Sequence, residues 1–342
     1  MQKNKKIVFL ASFCLIAVTT LSAQDLHFSQ FFNSPLTTNP ANTGFIPDAD
    51  YRIGAHYRNQ FSSILSNPYR TMSVYGDAQL FRDRIENGWL GLGGLILSDV
   101  AGSGGLRSTK IYGSIAYHQQ LGNSSLLSAG FNVGWANKRI DVSKFTFASQ
   151  WNNKFFDNTF SGDYPVFNAT SISYFDMQVG LNYAYFPTED IYFNVGYSIH
   201  HVNGPQETFF SGSADSSRIP RRHIGFINAL LKVNDRVIIN PNIYYTNQAK
   251  ASEFVLGLNA NYNLAGEGGE KQLIAGLYYR GGDALIPMVG FEIKNIRFTF
   301  SYDVTTSALN NFNNFQGAQE FNVMKKGFYS ESDSRQVMCP KF

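Results

Sequence analysis

Cysteine is nearly absent: Cys14 and Cys339 are the only two in 342 residues, and Cys14 falls within an N-terminal export signal. The single thiol left after export excludes an internal disulfide framework. No Cys-x-x-Cys, His-Glu-x-x-His or calcium-loop pattern offers a metal site instead, so neither metal nor cofactor is expected. Long apolar runs are also missing. The longest, Ile7 to Val18, is shorter than the roughly 20 residues that a spanning helix needs. A chain of this kind can enter a membrane only as a closed barrel, because lipid offers no partners to unpaired backbone groups. Charge is scarce at 15%, while aromatic residues also reach 15%, a balance that argues against disorder and suits strands with one polar and one apolar face.

What is present begins with Lys3, Lys5 and Lys6, the apolar run, and then Leu21, Ser22 and Ala23, the three regions of a secretory signal peptide. Cleavage is expected after Ala23, giving residues 1–23 as the signal. Phe13 occupies the small-residue position before Cys14, which argues against a lipoprotein. Export removes three lysines and no acid, leaving 25 basic against 25 acidic residues. The positive charge of the whole chain therefore belongs to the signal, and no electrostatic footprint for nucleic acid remains.

Alternation carries the fold. Tyr51, Ile53, Ala55 and Tyr57 alternate with Arg52, Gly54, His56 and Arg58, and Leu127 to Trp135 alternate with Ser128 to Ala136. Residues 175–185 and 191–200 repeat the pattern, which is what lipid-facing and lumen-facing side chains require at successive positions. Weaker versions near 70–80, 89–97, 107–120, 222–233, 236–246, 252–263, 271–280, 285–293, 295–303 and 317–325 bring the count to fourteen. The prediction is an all-β, antiparallel outer-membrane β-barrel of about 14 strands over 51–330, with a tail over 331–342. Loop lengths agree: residues 138–170, 202–221 and 304–316 alternate with tight turns at 122–124, 187–189 and 234–235, the external and periplasmic sets of such barrels. Residues 24–50, rich in turn formers at Pro35, Asn39, Pro40, Gly44 and Pro47, either fold inward as a plug or lie at the periplasmic rim.

Few residues suggest chemistry. His200 and His201 are adjacent on a predicted strand, so one ring should enter the lumen and the other face lipid or the interface. Glycines at 91, 93 and 94 and at 102, 104 and 105 lack the Gly-Lys-Ser/Thr of a phosphate loop and fit a curved sheet and a flexible loop. A Ser, His and Asp set has no local signature here, and no enzyme is predicted. Arg52, His56, Arg58, Asp176, Arg280, Arg297 and Asp303 should face the lumen with both signs of charge, as a polar channel lining or as ion-paired plug packing. The loop 138–170 holds Phe145, Phe147, Trp151, Phe155, Phe156, Phe160, Tyr164 and Phe167, which either meet a partner or fold over the barrel mouth. Arg221 and Arg222 end the next long loop.

Several ordered stretches resemble the PorP/SprF family: DLHFSQFFNSPLTTNPANTG (25–44), YRIGAHYRNQFSSI (51–64), DVAGSGGL (99–106), RIDVSKFTFASQ (139–150) and YFDMQVGL (174–181). IPRRH (219–223), QAKASE (248–253), YRGGDALIPMVG (279–290) and FSYDVTTSAL (300–309) continue the match. Leu26 stands in place of an expected proline, and the chain ends Pro-Lys-Phe rather than Pro-Arg-Phe. The resemblance implies a non-enzymatic outer-membrane component of the type IX secretion and gliding motility system. Its implied partners are a secreted adhesin bearing a C-terminal sorting domain, other periplasmic and outer-membrane components of that system, and outer-membrane lipid. On placement alone, Trp151, Phe155, Phe156, Tyr164, Arg221 and Arg222 are expected to make external contacts, and His27, Phe28, Phe31 and Phe32 to face the periplasm. A diffusion channel or transporter for small solutes is the alternative.

Overall fold

The computed structural model describes residues 27–82, 84–102, 105–145, 147–157, 159, 169–210, 217–264 and 271–329. The export signal with its cleavage site, Phe160, Tyr164, Phe167 and Cys339 lie outside them. No helix among the described residues is long and apolar enough to cross a membrane.

Fourteen strands form one closed antiparallel barrel. They are β1 (Tyr51–Gln60), β2 (Tyr69–Leu80), β3 (Gly88–Ala101), β4 (Leu106–Gln120), β5 (Ser125–Arg139), β6 (Ser171–Thr188) and β7 (Ile191–His200). The second half comprises β8 (Arg222–Asn234), β9 (Val237–Gln248), β10 (Ala251–Asn263), β11 (Lys271–Arg280), β12 (Ala284–Ile293), β13 (Ile296–Thr305) and β14 (Gln316–Gly327). Closure runs from Tyr51 opposite Gly327 to Gln60 opposite Ala318, so every strand is paired on both edges and no ladder is left open to lipid. All fourteen strands predicted from alternation are present.

The two faces are chemically opposite. Ile53, Val74, Ile96, Ile115, Leu181 and Val289 point outward and are about half exposed, part of an apolar surface far larger than a water-soluble protein would tolerate. Between them Arg58, Asp77, Asp176, Arg280, Asp303 and Glu320 point inward and are buried. Inward-facing rings fill places where the opposite strand has no side chain. Tyr75 lies over Gly54, Tyr112 over Gly134, Phe226 over Gly196 and Tyr278 over Gly257, each pair directly opposed across two strands. A Cβ at any of these glycines would overlap the ring, so the small residues let a narrow wall carry large inward aromatics.

The sequence-predicted alternation fails at one informative place. His200 is the last residue of β7, and His201 adopts a left-handed backbone at φ 57°. That turn breaks the two-residue period, so both rings are buried and His201 Nδ1 lies 2.9 Å from Asp176. The expectation that one ring would meet lipid is corrected.

Substituting Val289, at the middle of β12, by arginine should destabilise the barrel by about 2–4 kcal/mol, the cost of a cation at the bilayer midplane. Urea titration of the protein refolded in lipid vesicles measures this, and an unchanged midpoint would place that face outside the membrane.

Candidate functional site

A 14-strand barrel is too wide for its own side chains to fill, and here the segment before β1 does so. With the short turns taken as periplasmic, residues 27–50 run down the lumen from the external half to the periplasmic end, where Asp50 leads into β1. Local sequence shapes this plug. Pro35 and Pro40 each open a single helical turn, Pro35–Thr38 and Pro40–Asn42, and the Asn39 side chain caps the second by accepting from Ala41 N at 2.8 Å.

The turn at 39–44 presses against a floor of glycines. A Cβ at Gly91 would overlap the Thr43 carbonyl, one at Gly130 the Pro40–Ala41 backbone, and one at Gly180 the Asn39 side chain. Because those strands are bare at these points, the plug backbone reaches the wall and bonds to it. Asn39 Nδ2 donates to Leu181 O at 2.8 Å, Ser198 Oγ to Thr38 O at 2.7 Å, and Trp89 Nε1 to Gly44 O at 2.9 Å. His118 Nε2 donates to the Thr43 carbonyl at 2.8 Å; a carbonyl can only accept, so the proton sits on Nε2 and Nδ1 faces Ser128 Oγ. Asp77 accepts from Gly44 N at 2.7 Å and from the Arg52 fork at 2.8 and 2.9 Å, while Arg52 also donates to Asn42 O.

The external half is tied by charge. Glu320 accepts two successive backbone N–H groups, Ser29 at 2.7 Å and Gln30 at 2.8 Å. The Ser29 hydroxyl donates to Asp303 and accepts from Arg58 and Arg280, and both guanidinium groups also reach Asp303 at 2.9 Å. His27 lies 2.9 Å from Glu253. A fully buried ion cluster contributes little net stability, because desolvation offsets attraction, but removing one member is costly. The cluster therefore fixes where the plug sits. At the periplasmic rim Lys326 pairs with Asp48, and Asp50 N donates to Gly327 O at 2.9 Å. Burial pushes the Asp48 carboxyl up, but Lys326 and Arg297 pull it down further, to below the usual carboxylate range.

The plug leaves space at both ends. At the external mouth a cavity of about 660 Å³ is lined by His27, Arg58, Thr71, Asp99, Lys110 and residues of the loop after β7. Lys138 and Tyr174 both bind Glu207 at its side. Beneath Phe32 and Pro35, chambers of about 390 and 170 Å³ lie between the plug and the opposite wall.

The sequence-predicted contact residues divide three ways. Trp151 and Phe156 face each other across a small bridge on the loop after β5, with rings 5.2 Å apart, and Trp151, Phe155 and Phe156 are all about half exposed. Arg221 is exposed and donates to Val202 O. Arg222, expected outside, starts β8 on the inward face and donates to Thr246 Oγ1 and Tyr244 OH, because neighbours on a strand point oppositely. His27, Phe28, Phe31 and Phe32, expected on the periplasmic side, lie inside the lumen instead. Phe28 stacks on His56, Phe31 on Tyr244 and Phe32 on Tyr278, since a lumen lined with aromatic rings shields them from water better than the rim would. Glu253, Glu320, Asp77 and Ser29 were not singled out in the sequence, although the alternation that identified Arg58 and Asp303 also turns Glu253 and Glu320 inward. The strand glycines Gly130 and Gly180 were the available signal for a close backbone approach.

A family model described as the type IX secretion system membrane protein PorP/SprF matches residues 20–324. No curated protein matches the sequence. Among solved structures, the chain is similar to the Ralstonia pickettii toluene transporter TbuX, with 12% identity, a TM-score of 0.52, and 87% of this chain and 94% of that one covered. It is similar to the Pseudomonas putida toluene transporter TodX at 13% identity over the same shares, again with a TM-score of 0.52. A Pseudomonas aeruginosa FadL homologue aligns at 10% identity and a TM-score of 0.50, over 84% of this chain and 91% of that one. At these identities the likeness is one of fold, that of outer-membrane barrels.

Asp303→Asn leaves Arg58 and Arg280 short of a carboxylate and should cost about 3–5 kcal/mol. It should be read as faster proteolysis of residues 27–50 in a barrel that keeps its heat-modifiable gel mobility. Gly130→Val should push the Pro40 turn off the wall and produce ion-conducting bursts in a planar bilayer; a silent variant would show that the turn is not an anchor. Because the folded Asp48 value is depressed, its contribution is complete above the unfolded carboxylate value and is lost only as pH falls through the folded one. Plug protection against protease should therefore be flat between pH 8 and 5, and a loss within that window would assign the lower anchor to another group.

Proposed function

The chain belongs to the PorP/SprF family of type IX secretion system membrane proteins, and we propose that it acts there as a closed, non-catalytic outer-membrane platform that helps export or anchor a surface adhesin through the adhesin's C-terminal sorting domain. The observation that carries this reading is the pairing of a lumen occupied by the segment 27–50 with a hydrogen-bonded apolar knob on its longest external loop. The knob is built to be presented. Gln150, which is buried, accepts from Phe147 N and Asp157 N, while Asn152 Oδ1 accepts from the backbone of Lys154 and Phe155. Those bonds hold the turn so that Trp151, Phe155 and Phe156 face outward, and Phe210 on the next loop is half exposed as well. Clustered aromatic side chains of this kind bind proteins with little loss of conformational freedom. Arg221 adds an exposed cation on the loop before β8, and a role in gliding motility would follow from the adhesin served.

A solute channel is the second reading, favoured by the chambers beside the plug. Their asparagine and ion-pair lining suits water-soluble solutes, because desolvating such groups for a hydrocarbon would be unfavourable.

Deleting the gene should remove one or a few sorting-domain proteins from the cell surface, as quantified by surface proteomics, and replacing Trp151, Phe155 and Phe156 together by alanine should reproduce that loss with the barrel folded. Normal surface display combined with altered solute uptake and stable single-channel conductance would replace the platform by the channel.

A further inference from the structure

The external wall is not level. β5 and β6 pair from Arg139 opposite Ser171 down to Ser125 opposite Tyr185, whereas β7 joins β6 only from Ile199 opposite Val179. Ser171 to Met177 therefore rise above the end of β7 with no strand on that side. The ladder pattern fixes which backbone groups are left there. Ile140 N donates to Thr170 O and Phe186 N to Ser124 O, so even-numbered positions along β6 bond to β5. The N–H and C=O groups of Ser171, Ser173, Phe175 and Met177 point the other way, along an open edge.

The loop after β7 caps only the lower part of that edge. Val202 N donates to Met177 O at 3.0 Å, and Asn203 accepts from Met177 N at 3.2 Å and donates to Phe175 O at 2.7 Å. Phe175 N and the backbone groups of Ser173 and Ser171 have no partner among the described residues, although Asn137 holds both serine hydroxyls at 3.0 Å. Beyond Asn203 the loop stands off from β6. Tyr174 and Lys138 fix it through Glu207, and it forms a small bridge of its own between Gln206 and Arg218. In that bridge Glu207 N donates to Ser217 O and Ile219 N to Pro205 O, which turns the Gln206 backbone groups away from the pairing. A slot of about 500 Å³ remains, with Ser173 and Phe175 on one side and Asn203, Pro205, Gln206 and Thr208 on the other, and no charged residue among those that line it.

An uncovered strand edge is a template for another strand, and proteins normally cover, shorten or charge it. This one is instead exposed at Ser171, Ser173 and Phe175 and free of charge. We propose that the slot receives an extended, uncharged segment of a protein outside the cell, which pairs with the edge of β6 and continues the sheet where β7 stops. Backbone pairing supplies the attraction and demands the extended form. Asn203 closes the lower end of the slot, and the upper end opens where the loop carrying Trp151 and Phe156 enters β6. In the platform reading the strand belongs to the exported adhesin, and the proposal rests on that reading for the strand's source alone.

The test uses the full mature chain in nanodiscs and the acetylated, amidated peptide Lys-Thr-Val-Thr-Val-Thr-Lys, which carries no sorting-domain sequence, so either reading can fail without the other. Calorimetry measures binding and hydrogen exchange reads the edge amides. Saturable binding is expected, with exchange at Ser173 and Phe175 slowed about tenfold. Ser173→Pro removes one edge N–H at a position that makes no bond to β5, where proline is tolerated. It should weaken binding about tenfold, while Ser173→Ala, which keeps the N–H, should bind as the unaltered protein does. Should Ser173→Pro fail to fold, a peptide methylated on its interior backbone nitrogens decides on the unaltered protein, where its binding should be lost. Equal binding by Ser173→Pro or by the methylated peptide, binding that leaves exchange at Ser173 and Phe175 unchanged, or no binding at millimolar peptide would each overturn the proposal.

Discussion

A bilayer offers no hydrogen-bond partner to a peptide group, and the architecture follows from that constraint. A chain without a spanning helix must pair every strand edge, which closes the sheet and removes both ends of it. Closure at fourteen strands leaves a lumen wider than the reach of two facing side chains. The inward face cannot then be an apolar core. It is polar, and it needs a second layer of polypeptide to satisfy it. Residues 27–50 are that layer, and their hydrogen bonds and ion pairs run to β1–β4, β6 and β7 and, in the external half, to β10, β11, β13 and β14.

The two ends of the plug are held by different physics. Around residues 39–44 the plug backbone lies close against the strands where glycines thin the wall, and it is held there by hydrogen bonds between wall side chains (Asp77, Trp89, His118 and Ser198) and plug backbone groups. In the external half the contact is ionic: Ser29 sits between Arg58, Arg280 and Asp303, with Glu320 clamping two backbone amides. Such a cluster is a poor source of net stability, but its geometry is demanding. It admits one position of the chain and penalises every displaced one. A lumen closed in this way offers no path wide enough for a folded cargo, which directs attention to the surfaces at either end.

Alternation made the barrel legible because the membrane enforces it along each strand from β1 to β14. All fourteen strands, and the lumen placement of Arg58, Arg280 and Asp303, could be read from single residues. Where a residue lies outside a regular strand, or where a contact depends on register, the sequence is silent. His201 illustrates the first case, since a left-handed residue after β7 resets the direction of its ring. Arg222 illustrates the second, because one step, from Arg221 just before β8 to Arg222 at its start, separates an exposed cation from a buried one. The aromatic run at 28–32 reads as a segment in search of cover, and either the rim or the lumen could supply it; only the inward rings of His56, Tyr244 and Tyr278 decide the matter. The wall glycines carry no periodic signal and gain meaning when the Pro40 turn is found against them.

The asymmetry of the plug is the feature that packing alone does not require. A segment that served only to seal the pore would lower its free energy by meeting the β8 to β12 wall as closely as it meets the other. Instead the chain is pinned to the glycine side by Asn39 and to the rim by Asp48, which holds it away from the β8 to β12 wall. The chambers of about 390 and 170 Å³ on that side are the space this pinning leaves.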